Sequence, residues 1–240
     1  MKRKITINKH DYYIDAYNTF QELKLIEFLD LNDGLTDDDY RLCAEDFLKN
    51  ICDASVKLSQ ISDIELILVL LKIREITIGT EVKLKLTCTN SECNKSISAK
   101  VDIAGSYKNA ERENHFEPCN FVSQEYINNL DESVIPEDTD WDVYEEIKDN
   151  LKSYYSIYNL DYPIICPYCR NKMVFKINSL KKALTFISEE SLRSIMSVIH
   201  DLTYYGHITR SDIMQMTPLE RLMEISLLKK TKEKENPQMQ

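Results

Sequence analysis

The chain has 240 residues, with 40 acidic and 30 basic side chains, a net charge of −10 and a pI near 5.0. No apolar run approaches the roughly 20 residues of a membrane-spanning helix, and Met1-Lys2-Arg3-Lys4 leads into an alternating segment instead of the apolar stretch of a secretory signal. These features argue against membrane and secreted classes. They predict a soluble protein in a reducing compartment, where its seven cysteines are thiols or metal ligands rather than disulfides.

The first 60 residues predict an extended segment followed by two helices. The extended segment covers residues 5–14, and apolar residues at three- and four-residue spacing predict a helix over 17–29. A second helix is predicted after Thr36, because a hydroxyl followed by three aspartates satisfies the free amides of a helix start and suits the helix dipole. Cys43 and Cys52 lie on or near the apolar face of this helix and are interpreted as small core residues.

The most apolar helix of the chain is predicted over 64–76. Ser62 and Glu65 form a capping-box pattern at its start, and Gly79 follows its end. Its apolar residues point to nearly every side: Ile64, Leu66, Ile67, Leu68, Val69, Leu70, Leu71 and Ile73. A helix that is apolar all round is buried, so this helix is predicted to form the centre of the core.

Two pairs of cysteines lie beside short alternating segments. Those segments are residues 82–86, 97–103 and 173–177. Alternation on either side of a short polar turn is typical of β-hairpins, and two hairpins with two thiolates at each tip form the four-sulfur site of a zinc ribbon. We therefore predict that Cys88, Cys93, Cys166 and Cys169 bind a structural zinc ion. Four unligated thiols remain the alternative, because the first pair has C-x4-C spacing and 72 residues separate the two pairs.

An acidic insertion, residues 104–165, splits the predicted ribbon. Within it, residues 111–150 hold 13 acidic and two basic side chains, a net charge of −11, whereas the rest of the chain is close to neutral. This stretch is either a solvated loop or a docking surface for a basic partner. A helix is predicted over 141–155, and its Trp141 and Tyr144 are the candidate partner-binding residues, with core packing as the alternative.

The chain beyond the second cysteine pair is predicted to be helical. Ser188 is predicted to open one helix, and a short helical turn covers 209–214. Thr217-Pro218 with Glu220 has the pattern of another helix start. The tail from Lys229 is predicted to fray. The apolar face of the last helix consists of Leu219, Leu222, Met223 and Leu227.

The common catalytic patterns are absent from the sequence. None of the four histidines belongs to a recognisable nucleophile or metalloprotease motif, and there is no phosphate-binding or dinucleotide-binding loop. His115 and Cys119 are close enough in sequence to form a second metal-binding pair, but this interpretation is not favoured. Four cysteines fill the coordination sphere of zinc and leave no open position for catalysis, so we expect a protein that is not an enzyme.

Several segments of the chain carry a family resemblance. They are Leu71-Lys72-Ile73-Arg74-Glu75, Cys88 with Cys93, Cys166-Pro167-Tyr168-Cys169, and the closing segment from Tyr204-Tyr205-Gly206-His207 to Glu220-Arg221. In these segments, and over most of its length, the chain resembles the baseplate hub and hub-assembly proteins of contractile-tailed phages of the T4 type. The resemblance implies a structural or assembly protein of the central baseplate that acts through contacts with other hub or tail proteins. It also implies a location in the tail baseplate of the virion, and in the host cytoplasm during assembly.

These features together predict an α+β fold, mainly helical, with a small antiparallel zinc-ribbon-like β unit split by the acidic insertion. The predicted parts are residues 1–79 (N-terminal strand and helices), 80–180 (ribbon unit with its insertion) and 181–240 (C-terminal helical segment). The alternative function is a zinc-ribbon module that binds nucleic acid through lysines along the ribbon: Lys83, Lys85, Lys95 and Lys100. Nucleic acid is the less favoured partner, because the acidic insertion would repel phosphates.

Overall fold

The computed structural model describes residues 2–7, 10–32, 34–104, 160–188 and 190–235. Most of the acidic insertion lies outside the described residues, as do the predicted helix over 141–155, the candidate partner-binding residues Trp141 and Tyr144, and Cys119. In the described part, helices account for more residues than strands, and every sheet is antiparallel. The α+β class is therefore confirmed.

Seven α-helices, a short 3-10 helix (Leu58–Gln60) and seven strands occur in the described ranges. The helices are α1 (Thr19–Leu31), α2 (Asp37–Leu48), α3 (Asp63–Thr77), α4 (Leu180–Ile187), α5 (Leu192–Tyr204), α6 (Arg210–Gln215) and α7 (Pro218–Glu235). The strands are β1 (Arg3–Ile7), β2 (His10–Ile14), β3 (Cys52–Ala54), β4 (Glu81–Thr87), β5 (Ser96–Asp102), β6 (Asp161–Ile165) and β7 (Lys172–Lys176). They pair as a three-stranded sheet, β1-β2-β3, and as the hairpins β4-β5 and β6-β7. None of these helices combines the length and the apolar character that crossing a bilayer requires.

The helix starts follow the predicted caps with one exception. Thr36 and Ser62 cap α2 and α3 through complete capping boxes, and Thr217 caps α7, where it donates to the Glu220 carboxylate from its amide nitrogen at 2.7 Å. Ser188 does not open a helix: it follows α4, and the Ser191 side chain caps α5 instead. The Ser188 hydroxyl accepts from the Glu190 amide nitrogen, so it stabilises the bend between the two helices.

The N-terminal extended segment is a hairpin rather than one strand. β1 and β2 pair in antiparallel register, with Ile5 opposite Tyr12, and β3 adds to β2 with Cys52 opposite Ile14. Ile7, Tyr12 and Ile14 are buried on the face that joins the main core. The hairpin therefore folds back on α2 and α3 instead of extending away from them.

The prediction that the third helix is buried is confirmed. Leu66, Leu68 and Leu71 have no exposed surface, and α3 lies at the centre of the main core. Arg74 near its end is also fully buried. Its guanidinium donates to the carbonyl oxygens of Phe186 at 2.8 Å and Glu81 at 2.9 Å, and to that of Gly79. Arg74 therefore joins the end of α3 to β4 and to α4.

A second, smaller core is formed by the C-terminal helices against α1. Leu23 and Ile26 of α1 pack there, while Leu25 of the same helix packs in the main core. The prediction for the last helix is wrong in two respects: α7 continues to Glu235, and its predicted apolar face is exposed. The face of α7 that packs carries Arg221 and Ile225 instead.

Candidate metal centre

Four cysteines from the two hairpins come together at one point. Their Sγ atoms all lie within 4.8 Å of one another, with Cys88 and Cys169 3.6 Å apart and Cys93 and Cys166 3.9 Å apart. All four are free thiols. Four sulfurs around a tetrahedral ion, each at the zinc–sulfur distance of about 2.3 Å, are about 3.8 Å from one another. The four predicted cysteines could therefore bind one metal ion between them.

The β4–β5 hairpin positions the first pair. The strands run in register up to Thr87 opposite Ser96, and the Cys88 amide nitrogen then donates to the Lys95 carbonyl at 2.9 Å. The next residue after Cys93, Asn94, has a left-handed backbone with φ 40°. This conformation turns the chain back into β5 directly after the second thiol.

The β6–β7 hairpin repeats this arrangement. Its strands end with Ile165 opposite Lys172, and the Cys166 amide nitrogen donates to the Asn171 carbonyl at 2.9 Å. Arg170, the residue after Cys169, is also left-handed, with φ 59°. In each hairpin, therefore, the amide nitrogen of the first cysteine donates to the carbonyl two positions after the second cysteine. The residue directly after the second cysteine has a left-handed backbone.

The longer spacing of the first pair is absorbed inside its turn. The Asn90 carbonyl accepts from the amide nitrogens of Cys93 at 3.0 Å and Asn94 at 2.9 Å. These bonds form a tight turn between the two cysteines, so the two additional residues do not alter the closing bond of the hairpin. C-x4-C is therefore compatible with the same tip geometry as C-x2-C.

Backbone amides point at the sulfur atoms and favour thiolates. The amide nitrogens of Cys169 and Tyr168 donate to the Cys166 sulfur and lower its pKa to about 7 despite its burial. At Cys88, the Asn90 amide also favours the thiolate, but burial and the neighbouring sulfurs outweigh it and raise the pKa to about 11. One negative sulfur thus makes the next harder to ionise, and a bound cation would offset the repulsion between the thiolates.

The two hairpin tips also contact each other through groups other than sulfur. The Asn171 side-chain amide donates to the Thr89 hydroxyl at 2.9 Å, and the Thr89 amide nitrogen lies 3.3 Å from the Met173 sulfur. The Lys95 ammonium lies 4.6 Å from the centre of the Tyr168 ring. Sequence reasoning missed these contacts, because the residues are more than 70 positions apart and have no pattern in common.

Burial differs among the four thiols. Cys88 and Cys166 are buried, Cys93 is half-buried and Cys169 is exposed. The inward-facing strand residues beneath them belong to the main core: Val82, Leu84, Ile97, Val101, Tyr162, Ile164 and Met173. The cluster therefore lies at the border between the core and solvent.

The other described cysteines lie apart from this cluster. Cys52 is buried in β3 and Cys43 packs against the main core from α2, which agrees with their interpretation as core residues. Burial raises the pKa of each thiol to about 12, so both stay protonated near neutral pH. Neither has the environment of a metal ligand.

Comparison of the chain with protein-family models, with curated proteins and with solved structures finds no match. The class of the site therefore follows from its own geometry. It is a four-cysteine centre at the tips of two antiparallel hairpins, able to hold a metal ion.

Proposed function

We propose that Cys88, Cys93, Cys166 and Cys169 bind one structural zinc ion, and that the two hairpins form a zinc-ribbon-like unit around it. The observation that carries this proposal is the mutual distance of the four sulfurs. Four thiolates satisfy tetrahedral zinc completely and leave no position for a substrate or water, which supports a structural and not a catalytic role.

The protein, on this proposal, is a non-enzymatic structural or assembly component of the central baseplate hub of a contractile-tailed phage. Two features support it: the sequence resemblance to hub and hub-assembly proteins, and a metal that would join segments far apart in the chain. Its partners are other hub or tail proteins, reached through protein contacts. Trp141 and Tyr144 stay candidate anchors for such a partner.

The test of the hub proposal is purification of a tagged copy from infected cells, combined with complementation of a phage that lacks the protein. We expect baseplate hub or tail proteins to co-purify with the tagged chain, and the wild-type gene to restore plaques. Absence of every baseplate protein from the purified material, together with normal plaques without the gene, would contradict the proposal.

The ligand assignment is tested by removing the remaining cysteines. A variant with Cys43→Ala, Cys52→Ala and Cys119→Ala keeps all four proposed ligands, so its zinc content should equal that of the wild type. Loss of zinc from the folded variant would show that a different set of cysteines holds the metal.

A zinc-ribbon module that binds nucleic acid is the second candidate. It is favoured by the outward face of β4 and β5, where Lys83 lies directly opposite Lys100 and Lys85 is also exposed. Lysine ammonium groups on one face of a hairpin can contact phosphate groups, and Lys100 also pairs with Glu81 at 2.8 Å. Binding to DNA or RNA that weakens steeply with added salt would favour this candidate over the hub.

A further inference from the structure

The outward face of α7 carries large apolar side chains that the described residues leave exposed. Leu219, Leu222, Met223 and Leu227 are 48%, 40%, 59% and 55% exposed. On the opposite side, Arg221 and Ile225 are buried in the second core. The helix thus has two apolar faces, and the described part of the chain covers one of them.

The centre of the outward face has a charge pattern that complements itself. Glu220, Met223, Leu227 and Lys230 are all exposed and follow one another at intervals of three, four and three residues. Residues at this spacing form a single narrow stripe along a helix, as in coiled coils. The stripe is symmetric about residue 225. When two copies lie antiparallel, the acid of one copy faces the base of the other, and the two apolar residues face each other.

We propose that α7 pairs with α7 of a second copy of this chain in an antiparallel, two-fold symmetric contact. Met223 then packs against Leu227 of the partner subunit, and Glu220 pairs with Lys230 of the partner subunit, twice in each dimer. Antiparallel helices also place opposite ends of their dipoles side by side. A parallel pairing would place Glu220 against Glu220 and Lys230 against Lys230, which is unfavourable. Because the stripe is short, the dimer is reversible and depends on protein concentration.

The apolar part of the contact is tested by sedimentation or light scattering of the full chain at about 1 to 100 µM. We expect the wild type to change from monomer to dimer over this range. Met223→Glu and Leu227→Glu should each raise the dissociation constant at least about tenfold, because each places a charge in the centre of the contact. Leu42→Glu is the matched control: Leu42 is 64% exposed on α2, and its replacement should leave the dimer unchanged.

The register is tested by exchanging the two charges. Glu220→Lys and Lys230→Glu should each weaken the dimer, because each creates two like-charge pairs. Glu220→Lys also removes the carboxylate that accepts from Thr217 in the α7 cap, so Lys230→Glu is the cleaner single variant. The double variant restores both opposite-charge pairs with reversed sign, so its dissociation constant should return to within about threefold of the wild type. Circular dichroism of every variant at low concentration establishes that the monomer is folded.

Three results would overturn the proposal. They are a wild-type chain that stays monomeric over the whole range, a dimer that survives Met223→Glu and Leu227→Glu, and a double charge variant no tighter than the single variants. The first result would mean that two copies of this chain do not pair through α7. The second would place the dimer contact on another surface, and the third would mean that the helices pair in another register.

Discussion

The hairpin pair and the helical core depend on different interactions. The core around α3 buries apolar side chains on all sides of one helix, and full burial of a large side chain is worth about 1.5–3 kcal/mol. Each hairpin has two strands, and an isolated two-stranded hairpin is marginally stable in water. In the described residues, the hairpin tips meet through four sulfurs and a few polar contacts. Because the strands beneath the tips share the main core, a metal should matter most for the hairpin tips and least for the helices.

The largest effect is expected from Cys166→Ser, which removes the most buried of the four thiols. Three remaining thiolates hold zinc poorly. Mutating a group that supports a metal ligand costs about 10- to 100-fold in metal affinity, and losing the ligand itself should cost more. The two tips should then separate, while α3 and its neighbours stay folded. Limited proteolysis should show faster cleavage within residues 104–165 and little change in α3.

The matched control for this variant is Cys43→Ser, because Cys43 is a thiol outside the cluster. It should keep its zinc and its protease resistance. Full protease resistance together with normal plaque formation by Cys166→Ser would show that neither the fold nor assembly needs the metal.

Within the helical part of the molecule, a buried charge pair joins α7 to α1, and its loss should have the second-largest effect. The Arg221 guanidinium lies 2.8 Å from the Glu22 carboxylate, and both side chains are buried. Arg221→Met leaves an unpaired buried carboxylate and should destabilise the protein by about 3–5 kcal/mol in urea unfolding. The double variant with Glu22→Gln should recover part of this loss, because one of the two carboxylates beside Arg221 is then neutral, while Glu190, 3.8 Å from the guanidinium, keeps its charge.

The cost of Arg221→Met should also depend on pH. Burial raises the pKa of the Glu22 carboxyl above its ordinary value, and Arg221 opposes that rise. A carboxyl with a raised folded pKa stabilises the fold in its protonated form, so its contribution is lost as pH rises through that pKa. The variant should therefore be closer to the wild type at pH 5 than at pH 7. An equal loss of stability at both pH values would mean that Glu22 is not the group left unpaired.

A smaller effect is expected from the protein contact between the two tips. Asn171→Ala and Thr89→Val each remove the bond between the Asn171 amide and the Thr89 hydroxyl. Because the bond is exposed to solvent, each variant should lose about 0.5–1.5 kcal/mol of stability, measured by urea unfolding with zinc present. The double variant should lose no more than either single variant. Additive losses would show that the two side chains act independently.

The smallest effect is a gain in stability at the left-handed residues. Arg170 has φ 59°, a conformation that costs an ordinary side chain about 1–2 kcal/mol and glycine almost nothing. Arg170→Gly should stabilise the hairpin by about 0.5–1 kcal/mol in urea unfolding. Asn94→Gly should give a smaller gain, because asparagine tolerates this conformation. Destabilisation by Arg170→Gly would mean that the arginine side chain makes a contact worth more than the strain.

Local patterns in the sequence were sufficient to predict much of the fold. The caps at Thr36 and Ser62, the buried helix α3 and the hairpins around both cysteine pairs all depend on residues within a few positions of one another. The four-cysteine cluster was also predictable, because two hairpins with a pair of thiols at each tip match the four-sulfur pattern of a zinc ribbon.

Other features could not be predicted, because local patterns do not contain them. β3 has three residues, too few to show alternation. Helix α7 has apolar residues on both faces, so the sequence could not show that Ile225 packs inward and Met223 outward. The contact between Thr89 and Asn171 depends on how the two hairpins meet in space.

The presence of one structural zinc held by four cysteines can be measured as the metal content of the protein purified without added zinc. Elemental analysis, with circular dichroism of the same sample to establish folding, should give about one zinc per chain. Replacing any one of Cys88, Cys93, Cys166 or Cys169 with serine should lower that value. A folded wild-type sample with less than about a tenth of an equivalent of zinc would contradict the claim.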